Sequence, residues 1–180
     1  MKQPARLSRP FAFALFLCAV LATTACGPQR PAEEKEGTLI FGFKDNMKTF
    51  DPAYCIYSQE GGIVPQVLEP MVRWNFDLEL EGHLAHNWYT PDNCKTWVFE
   101  LREGITFHDG TPFNAEAVKI HFDRILDPAT GARRRRNIDD VVSITTPDQY
   151  TVEFQLKGQN CIFPEKLGET FACIPSPTAM

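Results

Sequence analysis

The stretch that decides the fold of this chain is LREGITFHDGTPFNAEAVKIHFDRILDP, Leu101 to Pro128. It combines the end of a strand, a turn and a helix, each with its own local signal. In the turn His108-Asp109-Gly110, we expect the Asp109 carboxylate to cap local backbone groups. Gly110 is expected to take a backbone conformation that is closed to other residues. A histidine beside an aspartate can also be a catalytic pair, but its place inside a turn favours the structural interpretation.

A capped amphipathic helix is predicted after this turn, from Ala115 to Leu126. Asn114 is a favourable N-cap residue, and Glu116 places negative charge in the first turn, where the helix dipole favours it. The helix is expected to end at Asp127, because a residue before proline avoids the helical region. Apolar residues that recur at helical spacing predict a face packed on the core: they are Val118, Phe122, Ile125 and Leu126.

The segments around this stretch alternate between strand and turn patterns. A loop is predicted from Asp51 to about Gly62, followed by a helix with Pro65 in its first turn. A short helical turn is predicted at Phe163–Leu167. Strands are predicted at Thr38–Phe43 (buried), Val72–Asn75, Thr96–Leu101 (one face buried), Asp140–Thr145 and Tyr150–Leu156, the last two around a Pro147-Asp148 turn.

The N-terminus has the organisation of a secretory leader followed by a tether. Residues 1–25 combine three basic residues with an apolar run and then small residues, and we predict a signal peptide. The apolar run is too short to cross a bilayer core, which needs ~20 residues. Cys26 follows the small residues and is the predicted lipidation site, with ordinary cleavage after Ala25 as the alternative. Residues 26–37 are polar and rich in proline and glutamate, which predicts a flexible lipoprotein tether.

Charge restricts the partners of the chain. Without residues 1–25 it has 15 basic and 23 acidic residues, a net charge of −8. This balance argues against a nucleic-acid partner, which would require a basic face. The run Arg133–Arg136 is the exception. We interpret it as a solvated loop after the helix, with contact to an anionic ligand or lipid surface as the alternative.

Beyond Cys18 and Cys26, four cysteines remain: Cys55, Cys94, Cys161 and Cys173. An exported chain meets an oxidising compartment, so these four can pair, in any of three connectivities. Free buried thiols are the alternative. The spacings lack the close Cys-x-x-Cys pairs of a zinc site, and no metal is predicted.

Several segments, taken in order, resemble family 5 of the bacterial extracellular solute-binding proteins, the peptide- and nickel-type receptors of ABC importers. Leu101–Pro128 resembles the signature segment of that family. Cys94 stands where the family has a glycine in a turn. The other segments are TLIFGFKDNMKTFDPAY (38–54), VLEPMVRWN (67–75), HLAHNWYTPDNCKTWVFELREG (83–104), the strand pair 140–156 and IPSPTAM (174–180).

The resemblance implies an α/β fold of the class II periplasmic-binding-protein type: a partial first lobe with a mixed sheet and flanking helices. Family members are much longer, so residues 38–180 are expected to form the N-terminal portion of a solute-binding domain. His83 and His86 have a spacing that also occurs in metal sites. The resemblance places them in a Leu-Ala-x-x-Trp turn, where a structural role is expected.

The resemblance also implies a function. The chain is expected to be a monomeric receptor without catalytic residues or cofactor. It would capture a peptide, or a small solute such as a nickel chelate, and deliver it to ABC permease subunits. It would act in the periplasm or at the cell surface, held on the membrane through lipidated Cys26. An anchored sensory or scaffold lipoprotein that uses the same lobe without transport is the alternative.

Two stretches approach the solute in family members, and they imply the candidate ligand-binding residues. The loop Phe50–Gln59 supplies Tyr54 and Tyr57, and the stretch Glu169–Phe171 supplies both of its end residues. Aromatic rings there would pack on peptide bonds or side chains, and Glu169 would meet a cation. The expected ligand-binding set is therefore Tyr54, Tyr57, Glu169 and Phe171, with ordinary loop packing as the alternative.

Overall fold

A computed structural model describes Gly37 and residues 40–180. The chain forms two units, Met1–Gly42 and Phe43–Met180. The predicted signal peptide, Cys26 and, apart from Gly37, the predicted tether lie outside the described residues, and they stay predictions. Within the part that the structure describes, no helix is both long enough and apolar enough to cross a bilayer.

The predicted strand at Thr38–Phe43 is wrong where the structure describes it. Residues 40–43 have no strand conformation, and Ile40 and Phe41 are 73% and 72% exposed. Apolar, β-branched residues favour a strand only where a neighbouring strand accepts the backbone hydrogen bonds and the side chains are covered. Composition alone does not supply that neighbour.

The second unit contains three α-helices and eight strands among its described residues. The helices are α1 (Ser58–Ile63), α2 (Ala115–Leu126) and α3 (Phe163–Lys166). The strands are β1 (Glu69–Pro70), β2 (Val72–Trp74), β3 (Leu80–Gly82), β4 (Ala85–Tyr89), β5 (Thr96–Leu101), β6 (Val141–Asp148), β7 (Thr151–Leu156) and β8 (Cys173–Ile174). A four-stranded sheet has the order β4-β5-β7-β6, and β1 pairs with β8 and β2 with β3.

Every strand pair within residues 40–180 is antiparallel, so the predicted mixed sheet is not found there. The connections give the reason. The turn Gln149-Tyr150 joins β6 to β7, and the loop 90–95 joins β4 to β5. Parallel neighbours would need a crossover of a dozen or more residues. The strand predictions near Val72 and at Thr96–Leu101 are confirmed, whereas β6 continues through the Pro147-Asp148 pair that was predicted to turn.

Helix α2 has the predicted bounds and packs on β6, β7 and β8. The Asn114 side chain accepts a hydrogen bond from the Ala117 backbone N–H at 3.0 Å, and the helix stops at Asp127 as expected. Its buried face meets an aromatic cluster centred on fully buried Phe154. Three rings lie 5.3 to 5.7 Å from the Phe154 ring, between centroids, in edge-on or tilted orientations: they belong to Phe99, Phe122 and Phe163.

The turn before α2 has the predicted structural role. Gly110 has a φ of 84°, and Asp109 Oδ1 accepts a hydrogen bond from the Thr111 backbone N–H at 2.9 Å. The hydroxyl groups of Ser176 and Thr178 also donate to Asp109 Oδ2. These hydrogen bonds lower the pKa of the Asp109 carboxyl well below its usual value. The bond from Ser176 has the largest effect, followed by those from Thr111 and Thr178. The turn is thereby joined to the C-terminal segment.

The predicted helix around Pro65 is wrong in position. Helix α1 begins earlier, because the buried Glu60 carboxylate accepts backbone N–H bonds from Ile56 at 2.8 Å and Tyr57 at 3.0 Å. It ends at Ile63, and Pro65 lies in a 3₁₀ turn from Val64 to Gln66. A proline further inside the helix would lose a hydrogen bond and clash with the preceding turn.

One disulfide bond, Cys94–Cys161, links the β4–β5 loop to the segment before α3. Cys55 and Cys173 are free and buried. Cys94 has a φ of 64°, in the left-handed region that favours glycine. The Thr90 hydroxyl accepts its backbone N–H at 2.8 Å, so this bond and the covalent link hold it there.

Substitutions in α2 test the relative weight of the cap and the core. We expect Asn114→Ala to lower the free energy of unfolding by ~1 kcal/mol, because one N-cap hydrogen bond is lost. Phe122→Ala should lower it by ~3–5 kcal/mol, because a fully buried ring leaves a cavity. Denaturant titration of both variants measures the difference. A larger loss for Asn114→Ala than for Phe122→Ala would contradict the assignment of the buried face.

Candidate functional site

A cavity of about 500 Å³ lies between the segment from Cys55 to Gln66, strand β2, and the segment from Gly168 to Cys173. Four residues with ionisable side chains contribute to its lining: Arg73, His83, Arg134 and Glu169. Trp74 and Phe171 add aromatic walls. The cavity is thus lined by side chains of both charges and by apolar rings.

Arg73 is held in place by the β2–β3 hairpin. Its Nε donates to Glu81 Oε1 at 2.6 Å, across the strand pair. Its Nη1 lies 3.2 Å from His83 Nε2, and because a guanidinium can only donate, Nε2 must be the acceptor. Neutral His83 then carries its proton on Nδ1. That atom is 3.5 Å from Glu69 Oε2 and has no hydrogen-bond partner among the described residues.

Arg134 and Glu169 approach the cavity from two other segments. Arg134 Nε donates to the Cys55 carbonyl at 3.2 Å, and Glu169 Oε2 accepts from Asn137 Nδ2 at 3.1 Å. The three neighbouring arginines, Arg133, Arg135 and Arg136, are exposed, so the interpretation of this run as a solvated loop is confirmed for them. Arg134 is partly buried and is the member of the run that lines the cavity.

The Trp74 ring packs closely on the backbone at Gly168. A Cβ atom at Gly168 would lie 3.0 Å from both Cδ1 and Nε1 of Trp74, and 3.3 Å from the Glu165 carbonyl. Such contacts are tighter than most contacts of a Cβ atom, so a larger residue at position 168 would require the Trp74 ring to shift. The glycine thus leaves room for the indole ring at the cavity wall.

Helix α2 contacts the segment that leads into the cavity lining, through an ion pair between Arg124 and Asp51. The Arg124 guanidinium donates to both Asp51 oxygens, with Nη1 at 3.0 Å from Oδ1. Burial alone would raise the pKa of the Asp51 carboxyl, but the bonds from Arg124 and the Ala53 backbone lower it below its usual value. Asp51 caps the 3₁₀ turn Pro52–Tyr54, which leads directly into cavity residue Cys55.

His121 joins α2 to the opposite end of the cavity lining. Its Nε2 lies 2.8 Å from the Phe171 carbonyl and must donate to it, so the neutral ring carries its proton on Nε2. The ring is fully buried, and its Nδ1 has no partner among the described residues. Burial, more than any other influence, lowers the pKa of His121 to about 4. Sequence patterning missed this residue, because histidine is not counted in an apolar face.

The structure brings together two of the four predicted ligand-binding residues. Glu169 and Phe171 both line the cavity. Tyr54 and Tyr57 are not part of its lining. The Tyr54 hydroxyl donates to the Thr130 carbonyl at 2.6 Å, and Tyr57 is 46% exposed with Lys48 Nζ 5.0 Å from its ring. A role of any of the four in ligand binding stays a prediction.

The remaining lining residues were not selected from the sequence. Arg73 and Trp74 stand in the motif VLEPMVRWN, which signalled a strand but no site. His83, for which a structural role was predicted, contacts Arg73 and also lines the cavity. His86 lies on β4 instead, 3.6 Å from Glu100 Oε2. Within residues 40–180, no group of three or more His, Cys, Asp or Glu side chains is placed to hold a metal ion.

The arrangement is suited to holding a small polar molecule. Each guanidinium can donate two parallel hydrogen bonds to a carboxylate. The Glu169 carboxylate can accept from an ammonium group, and the aromatic walls can cover apolar atoms. A molecule with both charges at its ends fits this pattern better than a singly charged one.

Comparison with known proteins identifies the family. The family model described as "Bacterial extracellular solute-binding proteins, family 5 Middle" matches residues 79–178. This chain belongs to that family. Its predicted membership is therefore confirmed.

Individual relatives agree with this membership. The probable D,D-dipeptide-binding periplasmic protein DdpA of Escherichia coli K12 is 31% identical over 169 residues, which cover 91% of this chain and 32% of DdpA. The glutathione-binding protein GsiB of Shigella flexneri is 30% identical over 142 residues, which cover 79% of this chain and 28% of GsiB. The family member described here thus spans about a third of the length of these relatives.

The fold is found in solved structures as well. The murein tripeptide-binding protein MppA of Escherichia coli superposes with a TM-score of 0.69 at 24% identity, over 76% of this chain and 30% of MppA. This likeness confirms the predicted α/β fold of the periplasmic-binding-protein type.

The buried His121 predicts a pH-dependent stability. As the pH falls below 6.5, the unfolded chain binds a proton at this residue, whereas the folded protein does so only near pH 4. The contribution of neutral His121 is therefore complete above pH 6.5 and is lost as the pH falls towards 4. We expect about 2 kcal/mol of unfolding free energy to be lost between pH 7 and 5 through this group.

Denaturant titration at both pH values, on three proteins, isolates this effect. His121→Gln keeps a side-chain N–H donor but does not titrate, so its stability should fall by about 2 kcal/mol less than that of the wild type. His86→Gln is the matched control, because His86 is half exposed, and it should follow the wild type. Equal pH dependence in the wild type and His121→Gln would contradict the buried neutral ring.

Proposed function

We propose that this chain supplies part of the solute site of a receptor that captures peptides, or related small zwitterionic solutes, outside the cytoplasmic membrane. The receptor would deliver them to the permease of an ABC importer. The observation that carries this proposal is the cavity in which two arginines and a glutamate stand beside two aromatic walls. Family membership supports the same conclusion.

The charged side chains of the cavity are the reason for proposing a peptide as the ligand. A peptide carries a carboxylate at one end and an ammonium group at the other, and the cavity offers partners for both. Arg73 and Arg134 match the first group, and Glu169 matches the second. The names of two relatives agree in class, since a D,D-dipeptide and glutathione are both short peptides with charged ends.

The cavity is open to solvent on the surface of this chain, and this limits the affinity we expect. A ligand seated there stays partly hydrated and makes only some of its contacts. Association must also offset the loss of translational and rotational freedom, ~4–15 kcal/mol. This chain matches about a third of the length of a relative such as DdpA. We therefore propose that the other ligand contacts come from parts of the receptor that correspond to the remaining two thirds.

Residues 38–180 should bind di- to pentapeptides with a Kd weaker than ~1 mM. Titration followed by two-dimensional NMR detects binding in this range and locates it. We expect shifts at Gly168 and at the Trp74 indole N–H, both at the cavity wall. A micromolar Kd, or shifts confined to other surfaces, would contradict the proposal.

A pair of arginine variants makes this titration specific. Arg134→Gln should weaken binding about two- to fivefold, the effect of losing one solvated ion pair. Arg136→Gln removes the same charge from an exposed position outside the cavity lining and should leave the Kd unchanged. Thermal melting of both variants confirms that the fold is retained. Equal effects of the two substitutions would indicate a general charge effect instead of binding in the cavity.

We also propose that lipidated Cys26 anchors the protein to the membrane. The support is the sequence before it, a basic flank, an apolar run and small residues. Cys26→Ser should move the protein from the membrane fraction to the soluble fraction, because the acyl chains can no longer be attached. Cys18→Ser is the matched control, since Cys18 lies inside the apolar run and should not affect partitioning. Membrane partitioning of Cys26→Ser like that of the wild type would contradict the anchor.

A further inference from the structure

Two cysteines beside the cavity have no part in the function proposed above. Cys55 follows the 3₁₀ turn Pro52–Tyr54, and Cys173 begins strand β8. Their exposed fractions are 2% and 1%. Both belong to one small cluster with Val64, separate from the main core, and both are among the residues that line the cavity. Two thiols that are far apart in the sequence therefore lie in the same small cluster.

We propose that Cys55 and Cys173 form a second disulfide bond in the oxidised protein. Each thiol gives up its proton and the two sulfur atoms bond to each other. The two electrons pass to an external disulfide, such as oxidised glutathione, which is reduced to two thiols. In the cell, this proposal rests on the proposed export, because an exported protein meets an oxidising compartment. Outside the cell, an added oxidant replaces that compartment.

Because Cys94 and Cys161 are bonded, Cys55 and Cys173 are the two free cysteines of the second unit. A second bond among the four cysteines of the second unit can therefore only join Cys55 to Cys173. The thiol of Cys55 has just one close polar contact, to the Asp51 carbonyl at 3.3 Å, and a second at 3.9 Å to the Thr49 carbonyl. Thiols are weak donors, so little is lost when this contact is exchanged for a covalent bond.

The environment of the two thiols indicates when the bond forms. Burial raises the pKa of Cys55 to about 11 and that of Cys173 to about 12. Only a thiolate attacks a disulfide, so the folded thiols react slowly at neutral pH. In the unfolded chain the same thiols titrate near ~8.5. The bond is therefore expected to form during folding, before the cluster closes, and to resist reduction afterwards.

A bond at this place would fix two parts of the cavity wall together. The Cys55 carbonyl accepts the hydrogen bond from Arg134, and Phe171 lies two residues before Cys173. The link would thus hold the segment that positions Arg134 against the segment that carries Phe171 and Glu169. It would close the cavity wall covalently without occupying the space of a solute.

Peptide mapping without reduction tests the proposal, because trypsin separates all four cysteines. Cys55 falls in Thr49–Arg73, Cys94 in Trp74–Lys95, Cys161 in Gly158–Lys166 and Cys173 in Leu167–Met180, while Cys18 and Cys26 share another peptide. The full chain is unfolded, reduced, and refolded with a mixture of reduced and oxidised glutathione. Remaining thiols are then alkylated at acidic pH, and the digest is analysed by mass spectrometry.

We expect most molecules to yield Thr49–Arg73 linked to Leu167–Met180, two hydrogen masses below the sum of the separate peptides. The Cys94–Cys161 link is the internal control for correct refolding. If that link forms while Cys55 and Cys173 are recovered alkylated, the proposal is wrong. Because the experiment supplies the oxidant as glutathione, its result does not depend on whether the protein is exported. A missing Cys55–Cys173 link would therefore contradict the disulfide proposal and not the proposed export.

Alkylation of the folded, reduced protein provides a second test that needs no variant. With the pH held near neutral, Cys55 and Cys173 should react with iodoacetamide far more slowly than in the unfolded chain. Addition of oxidised glutathione after folding should give the linked peptide slowly, and addition during folding should give it rapidly. Equal rates in the two orders of addition would contradict formation before the cluster closes.

Discussion

The packing of helix α2 on the antiparallel sheet is the constraint on which the rest of the second unit depends. One face of the helix places Phe122 against Phe154 at the centre of the core. From the same helix, His121 reaches the Phe171 carbonyl and Arg124 reaches Asp51. A single helix therefore joins the core to two of the three parts of the chain that form the cavity wall. Because these contacts come from one helix, a shift that disturbs the core would also displace the wall.

The charged side chains of the cavity already have hydrogen-bond partners within the protein. Arg73 is held by Glu81 and His83, Arg134 by the Cys55 carbonyl, and Glu169 by Asn137. Side chains that are held in this way lose little further freedom when a ligand binds. They also keep some donor and acceptor capacity, since a guanidinium has five N–H groups and a carboxylate can accept several bonds. Each of these three side chains is thus held by a hydrogen bond within the protein before any ligand binds.

The local signals of the sequence were reliable where one segment contains all the information. Asn114, the apolar face of α2 and the stop before Pro128 lie within a single stretch, and the structure confirms them. Two other predictions were wrong: the strand at Thr38–Phe43, where the structure describes it, and the position of the helix around Pro65. A strand needs a neighbouring strand, which the segment itself does not reveal. The start of α1 is set by the Glu60 carboxylate, which accepts bonds from the backbone of Ile56 and Tyr57, inside the stretch that was predicted to be a loop.

The family and the fold type could be predicted from the resemblance of ordered sequence segments, and helix α2 and the turn at Gly110 from local propensity, because each of these signals lies within the sequence. The tertiary structure alone decided that Cys94 bonds to Cys161, that Glu169 and Phe171 share a cavity, and that Tyr54 and Tyr57 stand outside it. The additional lining residues, Arg73, Trp74, His83, Arg134 and Gly168, emerged in the same way. The physical reason is that such neighbours are far apart in the chain. Their distances are fixed by how helices and strands pack, and no local pattern of residues records that packing.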